Sequence, residues 1–114
     1  AMAESVLDVA MTEEKIAEAM KALDPELGYI FDGLKIDREV QARIVETGYD
    51  DVIVFAKLCD EVAHLRRYVV AEVGINPEKS SKHRSTVARI ASAWEAAGLR
   101  VVRRRVVVLF LSAR

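Results

Sequence analysis

Residues 37–58 constrain the fold more than any other stretch, because they predict two short helices joined by a tight turn. Asp37 is a candidate N-cap, since a short carboxylate accepts hydrogen bonds from the free N–H groups of a first helical turn. Gly48 lies where a helix would end in a left-handed residue, and Asp50 or Asp51 can cap the helix that follows. The predicted buried side chains of this hairpin are Val40, Ile44, Val45, Val52, Phe55, Ala56 and Leu58.

Composition extends the helical interpretation to the whole chain. The 114 residues are 52% hydrophobic and 31% charged, which is typical of one folded domain with its own core. Five glycines and two prolines are too few for a many-turned β sandwich and favour helices with short connections. We therefore predict an all-α bundle of five or six helices over residues 1–99, followed by an extended or helical tail over residues 100–114.

The segment before the hairpin predicts a helix with Ser5 and Thr12 as competing N-caps. Proline restricts the residue before it and suits a helix start, so this helix should end at Asp24 and Pro25. Residues 26–36 then form an apolar loop or one short helix. Tyr29 and Phe31 within it either form a binding patch or cover the core, and the core is favoured because aromatic side chains chiefly supply buried area in a small domain.

After the hairpin, Asp60 is the candidate N-cap of a helix that stops at Gly74. The polar run that follows, up to Ser85, predicts an exposed, mobile loop. Ser85 or Thr86 should open the last helix of the bundle, and Gly98 should end it. The predicted buried stripe of that helix is Val87, Ile90, Ala91, Trp94 and Ala97.

The tail differs in residue composition from the rest of the chain. Its β-branched residues predict a strand, yet no second strand-like segment is present to pair with it. The tail can pair with a copy of itself, continue the last helix, or be the cut end of a longer chain. Val106, Val108 and Phe110 are its candidate association surface.

Charge is unevenly distributed along the chain. Residues 1–57 hold 6 basic and 13 acidic side chains, whereas residues 58–114 hold 11 and 5, so the halves carry −7 and +6. Such asymmetry serves an anionic partner, head-to-tail self-association or attraction between the two halves. The candidate nucleic-acid contacts are Lys82, His83, Arg84, Arg89, Arg100, Arg103, Arg104 and Arg105.

No pattern of catalytic or ligand-binding residues is evident, so we predict neither an enzyme, a cofactor nor a metal site. Cys59 and His64 are five residues apart, which does not place two ligands on one helical face. The adjacent acidic pairs are explained by helix capping. A single cysteine and the lack of a visible signal peptide favour an intracellular location, cytoplasmic or nuclear. The longest apolar run, residues 106–111, is far below the roughly 20 residues that span a membrane.

The hairpin resembles the helix–turn–helix core of SAM-like domains, especially the helix-hairpin-helix type at the N-termini of recombinases. The resemblance covers residues 42–58: Ile44 and Val45, then Gly48 and Tyr49, then Val52, Phe55 and Ala56. It implies a five-helix bundle that binds DNA or proteins. DNA-contacting hairpins usually carry a second glycine where this chain has Asp50, and an anion there repels phosphate.

These observations favour a non-enzymatic module for protein–protein interaction or self-association. Its partner would be another protein or a second copy of the chain, and no membrane is implied. The alternative is a nucleic-acid-binding domain that uses the basic clusters of the C-terminal half.

Overall fold

A computed structural model describes the backbone of residues 10–112 and the side chains of residues 10–104. Within that part of the chain the fold is all-α and no strand occurs, which confirms the predicted class. The helices are α1 (Glu13–Ala22), α2 (Pro25–Gly33), α3 (Arg38–Glu46), α4 (Val52–Ala56), α5 (Val62–Tyr68) and α6 (Ser81–Ser112), with a π-helical turn, Val69–Val73, continuing α5.

The first helix begins at the predicted cap. Thr12 Oγ1 accepts a hydrogen bond from the Lys15 N–H at 3.3 Å, whereas the competing cap, Ser5, lies outside the described residues. The Met11 N–H donates to Glu39 Oε1 at 2.6 Å and thereby ties the start of α1 to α3. This hydrogen bond, assisted by Arg43, lowers the pKa of Glu39 despite partial burial. A small separate core joins the two helices and consists of Ile16, Ala19, Ala42 and Val45.

Residues 25–33 form a helix, the second of the two structures predicted there, and Pro25 occupies its first turn. Phe31 is fully buried and lies edge-on to Phe55, with ring centroids 5.4 Å apart. Tyr29 is 71% exposed, so the expectation that both aromatic residues cover the core is right for Phe31 and wrong for Tyr29. The difference follows from helical spacing, because residues two apart point to different faces.

The hairpin of α3 and α4 forms as predicted. Gly48 follows α3 with a φ of +104°, and the Asp51 carboxylate caps α4 by accepting from the Ile53 N–H at 2.7 Å. Asp37 occupies the N-cap position of α3, but its side chain makes no capping hydrogen bond. Five of the predicted core residues of the hairpin are buried, whereas Ala56 and Leu58 are half-buried at its end.

Polar groups fix the connection between α2 and α3. The buried Gln41 donates from Nε2 to Asp32 Oδ1 at 2.8 Å and to the Ile36 carbonyl at 2.9 Å. Lys35 between them adopts a left-handed φ of +59°, which costs a non-glycine residue about 1–2 kcal/mol. The side-chain hydrogen bonds of Gln41 help to hold this tight loop in place.

The helix after the hairpin starts one residue later than predicted. Glu61 rather than Asp60 precedes it, and Val62 in its first turn is 37% exposed. Gly74 stops the π-helical turn with a φ of +83°, as predicted. Tyr68 lies at the junction, and its hydroxyl is 2.6 Å from Thr47 Oγ1. Burial raises the pKa of the Tyr68 phenol, which stays protonated.

The last helix is longer than predicted at both ends. It begins at Ser81, four residues before the earlier of the two predicted caps, because Ser80 Oγ accepts from the His83 N–H at 3.2 Å and caps it. The polar run is thus a loop only up to residue 80, and His83 is buried. Gly98 lies inside the helix, so the predicted stop there is wrong.

Of the structures left open for the tail, the backbone shows continuation of the last helix up to Ser112 and not a strand. Extending a formed helix fixes one residue per added hydrogen bond, and β-branched residues lower helix propensity only slightly. A strand without a partner would leave its backbone groups unpaired.

The inner face of α6 contributes to the main core. Val87, Ile90, Ala93 and Ala97 are buried there, and Ala91 and Trp94 pack half-buried against the same cluster. The other helices of this core are α2, α3, α4 and α5. A helix of 32 residues is about 48 Å long, and the Cα atoms span 60 × 31 × 20 Å.

Two glycines should respond with opposite signs to alanine. Gly48→Ala should lower the free energy of unfolding by at least about 1 kcal/mol, because alanine disfavours a positive φ. Gly98→Ala, the matched control, should raise it by about 0.5–1 kcal/mol, because Gly98 is helical and nothing lies within 4 Å of an added Cβ. Urea unfolding measures both changes, and a destabilising Gly98→Ala would contradict a helix that passes through that residue.

Candidate interaction surface

The outer face of α6 carries a row of exposed residues opposite the buried face. They recur at alternating intervals of three and four residues and together are called the outer stripe: Ser85, Ala88, Ser92, Glu95, Leu99 and Val102. Leu99 is 60% exposed and Val102 is 55% exposed. Both are large apolar side chains on the part of the helix that follows Gly98.

Two shallow grooves flank the N-terminal half of the stripe and meet at Ala88. One, of about 360 Å³, lies between α6 and the loop after α2 and is lined by Gly33, Leu34, Lys35, Ala88, Arg89 and Ser92. The other, of about 290 Å³, lies between α6 and the end of α5 and is lined by Arg66, Val70, Pro77, Arg84, Val87 and Ala88. Because Ala88 and Ser92 have small side chains, this half of the stripe forms the base of a depression between the outer walls of the two grooves.

Two of the predicted nucleic-acid contacts are used inside the protein. His83 is 7% exposed, and its Nδ1 lies 2.5 Å from Ser80 Oγ, so it cannot reach a phosphate. Arg89 donates from a terminal guanidinium nitrogen to the Leu34 carbonyl at 2.8 Å. It satisfies a backbone acceptor at the end of α2 and fixes the wall of the larger groove.

Arg100 and Arg104 contact the same carboxylate on α2. Arg100 lies 3.5 Å from Glu26 Oε1, and Arg104 donates to Glu26 Oε2. The Arg100 guanidinium also lies 5.7 Å from the ring centroid of Tyr29, a cation–π distance. These contacts fasten α6 to α2 beyond Gly98.

No local sequence pattern indicates this cluster around Glu26. Glu26 and Arg104 are 78 residues apart, and only folding brings them together. The opposite charges of the two chain halves are consistent with such a contact but do not indicate which residues form it.

Other predicted cations remain exposed. Lys82 and Arg103 form no ion pair among the described residues, although the charge of Lys82 helps to lower the pKa of Glu39, and Arg84 donates to Ser81 Oγ at 3.0 Å. Lys82 and Arg84 lie on either side of the N-terminal half of α6, near Lys35 and Arg66 of the groove walls. Residues 105, 106, 108 and 110 lie on the helical backbone of α6, but their side chains are outside the described part.

Residues typical of catalytic or metal sites lie apart. Burial is the main cause that raises the pKa of the half-buried Cys59 thiol, and His64 Nε2 contacts Glu61 at 3.2 Å. Among the described residues no three His, Cys, Asp or Glu side chains are grouped to hold a metal. No helix in that part of the chain is long and apolar enough to cross a membrane.

No protein-family model, curated protein or solved structure matches this chain. Inference about its function therefore depends on the chemistry and geometry of its exposed residues.

The Glu26 cluster should make a modest, salt-sensitive contribution to stability. Glu26→Gln should lower the free energy of unfolding by about 0.5–1 kcal/mol, because it weakens contacts to two partly exposed arginines. The matched control is Glu18→Gln, whose Lys21 pair at 3.9 Å is far more exposed and should contribute almost nothing. Urea unfolding at low and high salt measures both; an effect of Glu26→Gln that does not shrink in salt would contradict an electrostatic origin.

Proposed function

We propose that this chain is a non-enzymatic protein–protein interaction module that self-associates through the outer stripe of α6. The observation that carries the proposal is the exposure of Leu99 and Val102, 60% and 55%, one turn apart on the same face of the helix. Removing a leucine or valine side chain from water gains about 1.5–3 kcal/mol. Adjacent apolar residues on one face provide a contact that a partner helix can cover.

The length of α6 and the apolar sequence near its C-terminal end support this proposal. The helix continues for ten residues beyond Val102, and the sequence of residues 106–111 is entirely apolar. Positions 106 and 109 extend the spacing of the outer stripe by four and then three residues. A long helix with apolar residues repeated in this way is typical of helix–helix association.

The α3–α4 hairpin also favours a protein partner over DNA. Asp50 and Asp51 follow Gly48 at its turn, and the Asp51 carboxylate occupies the N-terminus of α4. A phosphate approaching this turn would meet negative charge in place of free N–H groups. Membership of the SAM-like class stays a prediction, and a role in protein association is consistent with it.

Replacing the apolar part of the stripe should abolish association. The double variant Leu99→Asp with Val102→Asp should be monomeric, because two buried carboxylates at a contact cost more than the contact gains. The matched control is Ile53→Asp with Val54→Asp, since these α4 residues are similarly exposed, 42% and 46%, on another element. Light scattering coupled to size exclusion, over a wide concentration range, measures the mass of each protein.

A mass that rises with concentration in the unchanged chain and in the α4 control, but not in the α6 variant, would support the proposal. A monomer at every concentration in the unchanged chain would refute it. Circular dichroism of all three proteins separates loss of association from loss of folding.

The second candidate function is nucleic-acid binding at the N-terminal half of α6. The observation that favours it is the set of exposed cations on both sides of that half: Lys35, Arg66, Lys82 and Arg84. Cations alone can bind a phosphate backbone without base contacts. Asp37 lines the same region as Lys35 and Lys82 and reduces its positive charge.

Binding through this surface should be steeply salt-dependent. Lys82→Glu with Arg84→Glu should weaken binding to a DNA duplex and lower the slope of log K against log salt by about 2, one for each lost phosphate contact. The control is Lys15→Glu with Lys21→Glu on α1, which should leave the slope nearly unchanged. Fluorescence anisotropy at several salt concentrations measures this, and no binding at low salt would exclude the alternative.

A further inference from the structure

We infer that the partner of the outer stripe is a second copy of this chain, paired antiparallel so that Leu99 of one copy faces Leu99 of the other. This inference rests on the proposed function and specifies the orientation and register of the association. Its evidence is the spacing of the stripe, the charges on either side of Leu99 and the shape of the surface along α6.

The spacing of the stripe is that of a coiled-coil seam. Residues 85, 88, 92, 95, 99 and 102 alternate between intervals of three and four, which is the repeat that keeps one helical face against a partner helix when the two supercoil around each other. A two-fold axis through Leu99 places residues at equal distances before and after it opposite each other in the two copies.

Charge selects the antiparallel orientation. Glu95 lies four residues before Leu99 and Arg103 lies four residues after it, both are exposed, and neither has an ion-pair partner among the described residues. Antiparallel pairing about Leu99 brings Glu95 of each copy opposite Arg103 of the other, which gives two ion pairs by symmetry. Parallel pairing would instead bring Glu95 against Glu95 and Arg103 against Arg103, and like charges repel.

The depression at Ala88 provides space for the C-terminal end of the partner helix. In the antiparallel register, position 106 of one copy lies opposite Ser92 of the other, and position 110 lies opposite Ala88. The small side chains of Ser92 and Ala88 let the two helices approach closely. The flanking grooves of about 360 and 290 Å³ give room on both sides, and Val70, Pro77 and Val87 supply apolar walls.

Charge reversal tests the register directly. Glu95→Arg alone and Arg103→Glu alone should each raise the dimer Kd by about tenfold, because two attractive pairs become repulsive. The double variant, with both changes in one chain, should restore the original Kd, since the pairs re-form with their charges exchanged. An equimolar mixture of the two single variants should associate more tightly than either alone. Sedimentation equilibrium measures all four proteins and the mixture.

A dimer whose Kd is unaffected by the single changes would overturn the register while leaving self-association intact. A chain that is monomeric at all concentrations would remove both this inference and the proposed function. Glu95 and Arg103 are exposed and lie outside both cores, so these variants should fold like the unchanged chain, and circular dichroism checks this.

A distance measurement provides a second, independent test. A spin label attached at Ser85→Cys, in a chain that also carries Cys59→Ala, lies 14 residues from the axis at Leu99. The helical rise of 1.5 Å per residue then predicts about 42 Å between the labels of an antiparallel pair, whereas a parallel pair predicts about 10 Å. Pulsed electron resonance distinguishes the two, and dilution with unlabelled chain should remove the signal. A short distance would overturn the inference.

Discussion

Burial of the inner face of α6 is the constraint on which the rest of the structure depends. Ile90, Ala93 and Ala97 are fully buried there, in the same core as Phe31 of α2 and Phe55 of α4. Alanine at two of these positions leaves space for large aromatic side chains elsewhere in the core, and close packing requires that kind of size compensation. One helix thus determines where α2, α4 and α5 lie, and its opposite face stays available to solvent or to a partner.

Hydrogen bonds and ion pairs from α6 fix the elements around it. Arg89 bonds the Leu34 carbonyl at 2.8 Å, and Arg100 and Arg104 contact Glu26 at the other end of α2. These contacts account for part of the charge asymmetry of the sequence, because acidic residues of the first half meet basic residues of the second. Part of the charge asymmetry is therefore used in contacts within the fold, whereas Lys82 and Arg103 remain exposed on α6.

Local signals predicted the parts of the fold that local chemistry determines. Thr12, Gly48, Asp51 and Gly74 act as caps or stops where expected, because each caps or ends a helix through its own hydroxyl, carboxylate or backbone conformation. The start of α6 differs from the prediction because the sequence between residues 80 and 86 offers several capping residues, and only the Ser80 contact with the His83 N–H selects among them. The surface roles of the arginines depended on contacts more than 50 residues apart in sequence and could not be predicted from spacing.

Gly98 links the stability of α6 to the surface that we propose for association. A glycine inside a helix costs about 0.5–1 kcal/mol relative to alanine, so a helix is easier to bend or break there. The contacts of Arg100 and Arg104 with Glu26 lie just beyond this weak point, together with the half-buried Val101, and hold the two halves of α6 in line. Without them Leu99 and Val102 would lose their fixed relation to Ala88 and Ser92. A continuous outer stripe therefore requires the same ion pairs that use up two of the predicted nucleic-acid contacts.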